Sequence, residues 1–166
     1  MTHDPFPPGS DQSALWQMLI FRDVNAFAAC DWDAHAADFL PADRSTGGFI
    51  GISGNQSDRP EDWLPAFPTL ADYRENWLGA AKGAAARADR ETLAQAHFAA
   101  SRLVRITING TLALCVKRFD GTVTYRDGQT ERLAWQTAYI CRKADARWWI
   151  AGFVGFLPPS GYTGPG

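Results

Sequence analysis

The chain has 166 residues, enough for one domain with a substantial core and too few for two of ordinary size. Its formal charge is −2 and its basic residues are scattered, which leaves no electrostatic footprint for nucleic acid or for an anionic membrane. No apolar run approaches the ~18 residues of a membrane span, and the N-terminus lacks the charged start and apolar middle of a secretory leader.

Residues 1–11 hold Pro5, Pro7, Pro8 and Gly9 and little that needs burial, so an extended, mobile arm is predicted. Ser10 or Asp11 can cap a helix from Gln12 to Ala29. Within it Leu15, Met18, Leu19 and Val24 interleave with Trp16, Ile20 and Phe27, a wide apolar arc that implies cover on more than one side. Asp31 or Asp33 restarts a short helix, Ala34 to Phe39, which Pro41 stops. Gly47 to Ile52 is a strand candidate. Asn55 to Pro68 reads as a loop, with Pro60, Pro65 and Pro68 flanking Trp63 and Phe67. Thr69 caps a helix from Leu70 to about Gly79 that sets Tyr73 and Trp77 on one face. The Ala/Gly-rich run Gly79 to Ala88 either prolongs it or forms a loop before Arg90 to Gln95.

Four long strands are predicted next: His97 to Ile108, Thr111 to Tyr125, Leu133 to Lys143, and Trp148 to Leu157. Asn109-Gly110 and Asp127-Gly128 supply the positive φ angles that tight hairpins need, and Ala144-Asp145-Ala146 joins the last pair. Residues 158–166 form an irregular tail. The expected fold is a single α+β domain over residues 12–157, with helices on one face of a curved, mostly antiparallel sheet. That arrangement encloses a pocket, and the 13 % aromatic content with seven tryptophans fits an aromatic-lined cavity or a bulky core.

Asp23 sits within the apolar first helix, on a stripe with Trp16, Ile20 and Phe27. It must reach solvent, pair with Arg22 or another cation, or line a polar pocket. His97, at the start of the first long strand, is either a hydrogen-bonded structural residue or an acid/base group. No second histidine stands at ligand spacing from it, so no metal is expected. Facing one cavity, Asp23 and His97 would make an acid/base dyad. Trp63, Phe67, Tyr73 and Trp77 form either core packing or a lid over a flat ligand. Trp135, Thr137 and Tyr139 share one face of the third strand and Gln136 takes the other, with the concave face undecided.

Several chemistries are excluded by pattern. No Gly-x-Gly-x-x-Gly or Lys-Ser/Thr loop cradles phosphate, and no Gly-x-Ser-x-Gly elbow presents a nucleophile. Cys30, Cys115 and Cys141 are an odd count without close spacing, so neither a disulfide framework nor zinc follows from them. They read as small core residues, and a reducing cytoplasm is the expected location.

Cys30-Asp31-Trp32-Asp33, Ala96-His97-Phe98, Ile108-Asn109-Gly110 and Trp148-Trp149-Ile150-Ala151-Gly152, taken with the order of elements, resemble the nuclear transport factor 2-like superfamily. The likeness is nearest to its SnoaL-like group, which contains scytalone dehydratase and ketosteroid isomerase, and spans about residues 12–157. The resemblance implies a cone-shaped, cystatin-like α+β barrel with a deep apolar pocket, and a homodimer packed through the sheet. It implies either a dehydratase, isomerase, cyclase or hydrolase, or a binding protein without catalysis. Asp23 falls where the isomerases carry a pocket tyrosine, and His97 where the dehydratase has a catalytic histidine. Other positions depart from the family's chemistry. The dehydratase's Tyr-Asp pair is Phe27-Ala28 here, its second histidine falls near Cys115, and the isomerase's base falls near Gly48 or Phe49.

The expected function is therefore binding of a small apolar or aromatic molecule, with no cofactor. The expected chemistry is a lyase or isomerase step on a cyclic substrate. His97 and Asp23 would act as the acid/base pair, and Trp16, Phe27, Trp63, Tyr73, Trp77, Trp135 and Tyr139 as the walls. The alternative is a non-catalytic ligand-binding or dimerisation module.

Overall fold

The computed structural model describes residues 3–41 and 49–159. Met1-Thr2, the Gly47-Gly48 start of the first strand candidate and the tail from Ser160 lie outside them. Among the described residues the arm is irregular but fastened at Asp4, which accepts hydrogen bonds from the Ser13 hydroxyl and the Phe6 N–H. Ser10 supplies the first cap, accepting the Ser13 N–H at 3.1 Å.

The first helix runs without a break through three segments. These are α1 (Asp11–Trp16), a π-helical stretch (Gln17–Arg22) and α2 (Asp23–Ala29). The wider i→i+5 turn rotates whatever follows it relative to what precedes it. That rotation separates residues which simple helical spacing puts on one stripe. Cys30 ends α2 in the left-handed region, and Asp31 caps α3 (Trp32–Ala36) by accepting the Ala34 N–H.

After β1 (Ile50–Ser53) the Pro-rich stretch is not all loop: it contains a 3-10 turn (Pro60–Asp62) and β2 (Leu64–Phe67). Pro65 fits there because β2 is an edge strand, where a missing N–H breaks no ladder. Thr69 and Asp72 form a reciprocal capping box on α4 (Leu70–Arg87), which continues straight through the Ala/Gly run.

His97 lies within α5 (Arg90–Ala100), not at the start of a strand as expected. Asp89 caps this helix by accepting the Thr92 N–H at 2.8 Å, and Glu, Leu, Ala and Gln carry it past His97 to Ala100. Past Thr92 in the first turn, the β-branched residues that favour a strand resume only at Val104.

The remaining strands are β3 (Ser101–Asn109), β4 (Leu112–Thr124), β5 (Thr130–Ala144) and β6 (Arg147–Leu157). Together the six make one open sheet in the order β2-β1-β6-β5-β4-β3. It is antiparallel except where β1 runs parallel to β6. Gly110 and Gly128 adopt positive φ at the first two hairpins as expected, while Asp145 and Ala146 do so without glycine at the third.

Along β4, Ala113, Cys115, Lys117 and Phe119 are buried in strict alternation, which defines the inner face. Registered pairs carry that face across to β5 at Cys115↔Tyr139 and Phe119↔Trp135. Helix α5 closes onto β4 at Gly121, where a Cβ would stand 2.6 Å from that of Ala100. The missing side chain lets the helix approach, and the approach brings His97 over the inner face.

Candidate functional site

A cavity of about 530 Å³ opens between α2, α4 and α5 on one side and β4, β5 and β6 on the other. Its walls are aromatic: Phe27 and Trp77 from the helices, with Phe119, Trp135, Tyr139 and Phe153 from the strands. Asp23, Tyr73, His97 and Thr137 are polar groups of its lining. Its exposed rim includes Asn76, Gly79, Gly83, Glu131 and Phe156. Arg87 lies on the Tyr125 ring at 3.6 Å beside it, and the Tyr125 hydroxyl donates to Glu131.

One side of the cavity is charged. Lys117 is fully buried, and its ammonium donates to the Leu19 carbonyl at 2.8 Å and to Asp23 Oδ2 at 2.5 Å. The same Nζ lies 4.6 Å above the Phe119 ring centre. His35 Nδ1 stands 3.1 Å from the other carboxylate oxygen of Asp23. Its ring stacks on Trp77, with centroids 4.6 Å apart and planes 13° from parallel. Nδ1 must carry its hydrogen to donate there, which leaves the buried Nε2 without a hydrogen-bond partner among the described residues.

Burial alone would raise the Asp23 carboxyl, but the Lys117 charge and the His35 contact together hold it well below the usual carboxylate range. Burial and the Asp23 charge push the Tyr73 and Tyr139 phenols up, so both keep their protons. Asp23 is thus a fixed negative charge whose oxygens are both engaged. The expected alternatives for it meet here, since it is ion-paired and lines the pocket too. Its cation is not Arg22, which forks onto the buried Asp38 instead.

His97 faces the same cavity, buried against the Phe27 ring at 4.7 Å. Burial, with the Lys117 charge added, lowers its imidazole to about 4, so it is neutral at neutral pH. Its side chain makes no hydrogen bond to any described residue. Asp23 and His97 therefore share a cavity, but the carboxylate hydrogen-bonds to Lys117 and His35, and Asp23 and His97 form no hydrogen-bonded dyad.

Of the seven aromatic residues expected as walls, Phe27, Tyr73, Trp77, Trp135 and Tyr139 line the cavity and two do not. Trp16 precedes the π-helical stretch and is buried elsewhere, in contact with Phe21. Trp63 is tied to its own loop, its indole N–H donating to the Ser57 carbonyl at 3.0 Å. Phe67 is buried against Tyr73 and Phe153 behind the wall. On β5 the Trp135-Thr137-Tyr139 face is the concave one, and Gln136 on the other face donates to the Pro158 carbonyl.

Sequence reasoning did not single out Lys117, His35, Phe119 or Phe153. Lys117 did carry a signal, because it occupies the inward phase of an alternating strand where a cation needs a buried partner. Among the described residues no group of three or more His, Cys, Asp or Glu stands where it could hold a metal, and no helix is long and apolar enough to cross a membrane.

No protein-family model matches the chain, and no curated protein sequence matches it. Solved structures do resemble it. A conserved protein from Planctomyces limnophilus DSM 3776 has a TM-score of 0.55 at 16% identity, with 89% of this chain and 94% of that one covered. A domain of unknown function with a cystatin-like fold from Nostoc punctiforme PCC 73102 has a TM-score of 0.54 at 17% identity, covering 95% of this chain and 81% of that one. An NTF-2 like protein of unknown function from Shewanella oneidensis MR-1 has a TM-score of 0.51 at 18% identity, covering 88% and 98%. These likenesses establish the nuclear transport factor 2-like, cystatin-like fold and leave the activity to be argued from the site.

Proposed function

We propose that this nuclear transport factor 2-like chain binds a small, largely apolar, ring-bearing molecule in the cavity. The supporting observation is the cavity itself: about 530 Å³, aromatic on most sides, with a few polar groups converging on it. Asp23 and Lys117 cancel as charges, so a neutral ligand is favoured over an ion. The protonated Tyr73 phenol and the neutral His97 imidazole are the groups that would orient the ligand.

The same geometry supports proton transfer of lyase or isomerase type without a cofactor. His97, neutral and facing the cavity, is its acid/base group. Asp23 would act through its fixed charge on the Tyr73 and Tyr139 hydroxyls rather than as the hydrogen-bond partner of His97. Calorimetric titration with neutral bicyclic probes such as 2-naphthol tests the binding claim. The expected result is one molecule bound per chain, competing with other neutral bicyclics. Lack of binding by any of a panel of neutral one- to three-ring compounds would refute it.

A second reading, pairing of two copies through the sheet, rests on the outer face. Leu114 and Ile140 are registered neighbours there, Ile140 continues through Gly152 to Ile50, and all three large side chains are exposed. Sedimentation should show a dimer that Ile140→Lys converts to monomer. A wild-type monomer at high concentration would rule it out.

A further inference from the structure

Phe156 is the outlier of the cavity rim. Its φ is +52°, in the left-handed region where a bulky side chain is strained, yet it belongs to a long strand. The strain has a local frame. Gln136 pairs with Leu157 and Ala138 with Val154, so β6 carries an extra residue against Thr137, and Phe156 lies in that bulge. The turn after β1 grips the bulge from outside. Gly54 N–H donates to the Gly155 carbonyl and Gln56 N–H to the Phe156 carbonyl at 2.8 Å. Asn55 and Gln56 also have positive φ, so two unfavourable backbone segments hold each other.

A regular β6 would need none of this. Strain that its surroundings over-determine, at the rim of a cavity, points to a use. The use is visible in where the ring goes. Phe119 and Trp135 stack across β4 and β5 with centroids 4.4 Å apart and planes 23° from parallel. Phe156 extends the row, its centroid 6.0 Å from that of Trp135. All three line the cavity, and Phe156 is partly exposed beyond packing need, at 39%.

We propose that Phe156 is a ligand-contacting residue, the outer rung of an aromatic ladder Phe119-Trp135-Phe156 that gives the site its preference for flat, conjugated rings over saturated ones of equal size. This rests on the small-molecule reading of the cavity. A π-face at the rim adds stacking to the burial that any apolar ligand gains, and stacking is lost when the ring is saturated.

The test uses the full chain with two probes, 2-naphthol and decahydro-2-naphthol, titrated into wild type, Phe156→Gly, Phe156→Ala and Phe156→Leu. Wild type should prefer the aromatic probe by roughly twofold to tenfold. All three variants should lose most of that preference while still binding both probes. In denaturant, Phe156→Gly should unfold at a higher midpoint than Phe156→Ala, the reverse of the usual order, because only glycine tolerates the bulge without strain. Wild-type binding with the preference intact in the variants would overturn the ladder and leave the cavity reading standing. No binding of either probe to wild type would overturn both. An alanine variant as stable as the glycine variant would overturn the strain argument.

Discussion

Lys117 and Asp23 stand 94 residues apart in the chain, and their side chains form a hydrogen-bonded ion pair at 2.5 Å with the lysine wholly out of solvent. The pair ties the middle of the sheet to the helix segment after the π turn, and the same ammonium caps the Leu19 carbonyl within that turn. A buried pair costs most when one partner is removed, since the other is left charged and dry. Lys117→Met should therefore destabilise the fold by about 3 kcal/mol or more. Adding Asp23→Asn should recover part of that loss. Chemical denaturation of the two single variants and the double variant checks this, and strictly additive losses would contradict the coupling.

His97 predicts a pH dependence of its own. Its folded-state value, lowered to about 4, lies below its ordinary 6.5, so between those limits the unfolded chain binds a proton that the folded chain refuses. Its stability contribution is complete above about pH 6.5 and falls away as pH drops towards 4, by an amount on the order of 3 kcal/mol. Asp23 behaves otherwise. Its depressed value keeps its contribution intact through this window and releases it only in stronger acid. Stability measured in urea between pH 7 and pH 4.5 should thus decline, and His97→Gln should flatten the decline. An unchanged slope in the variant would show that another group is responsible.

Trp63, which stands outside the cavity, gives a negative control for Trp77, which lines it. Trp63→Phe removes one hydrogen bond to the Ser57 carbonyl and should cost about 1 kcal/mol of stability without changing the affinity for 2-naphthol. Trp77→Phe alters both the wall and the His35 stack, so it should weaken binding. Equal effects on affinity would mean the walls are wrongly drawn.

Gly83 allows the rim to be closed without damage to the core. It lies within α4, and a Cβ built on it meets nothing within 4 Å. Gly83→Leu should raise helix stability by about 0.5–1 kcal/mol. By filling the opening it should also weaken ligand binding roughly tenfold or more. Thermal unfolding and calorimetry together check the pairing of outcomes, and undiminished binding would place the ligand elsewhere.

The outline of the fold was legible because its signals are local. Ser10, Asp31 and Thr69 each cap the helix that the sequence places after them, and Gly110 and Gly128 turn the hairpins. The alternation of β5 fixed which residues share a face, though not which face is concave, since that depends on what the helices cover. The failures are non-local. Nothing in Gln17–Arg22 announces a π turn, so simple helical spacing groups Trp16 with Phe27 although the two diverge. Ala96 to Ala100 has neither helical nor strand periodicity strong enough to place His97, and the Asp89 cap decides it from eight residues away. Lys117 was readable as an inward cation, but its partner is known only once the helix lies across β4.

A ligand seated in the aromatic cavity, as proposed, can be located in crystals of the chain soaked with 6-bromo-2-naphthol, because bromine gives an anomalous signal. A peak is expected within the space bounded by Trp77, Trp135 and Phe153, and none there in crystals of Gly83→Leu treated alike. Bromine found only on the outer surface, with that space empty, would contradict it.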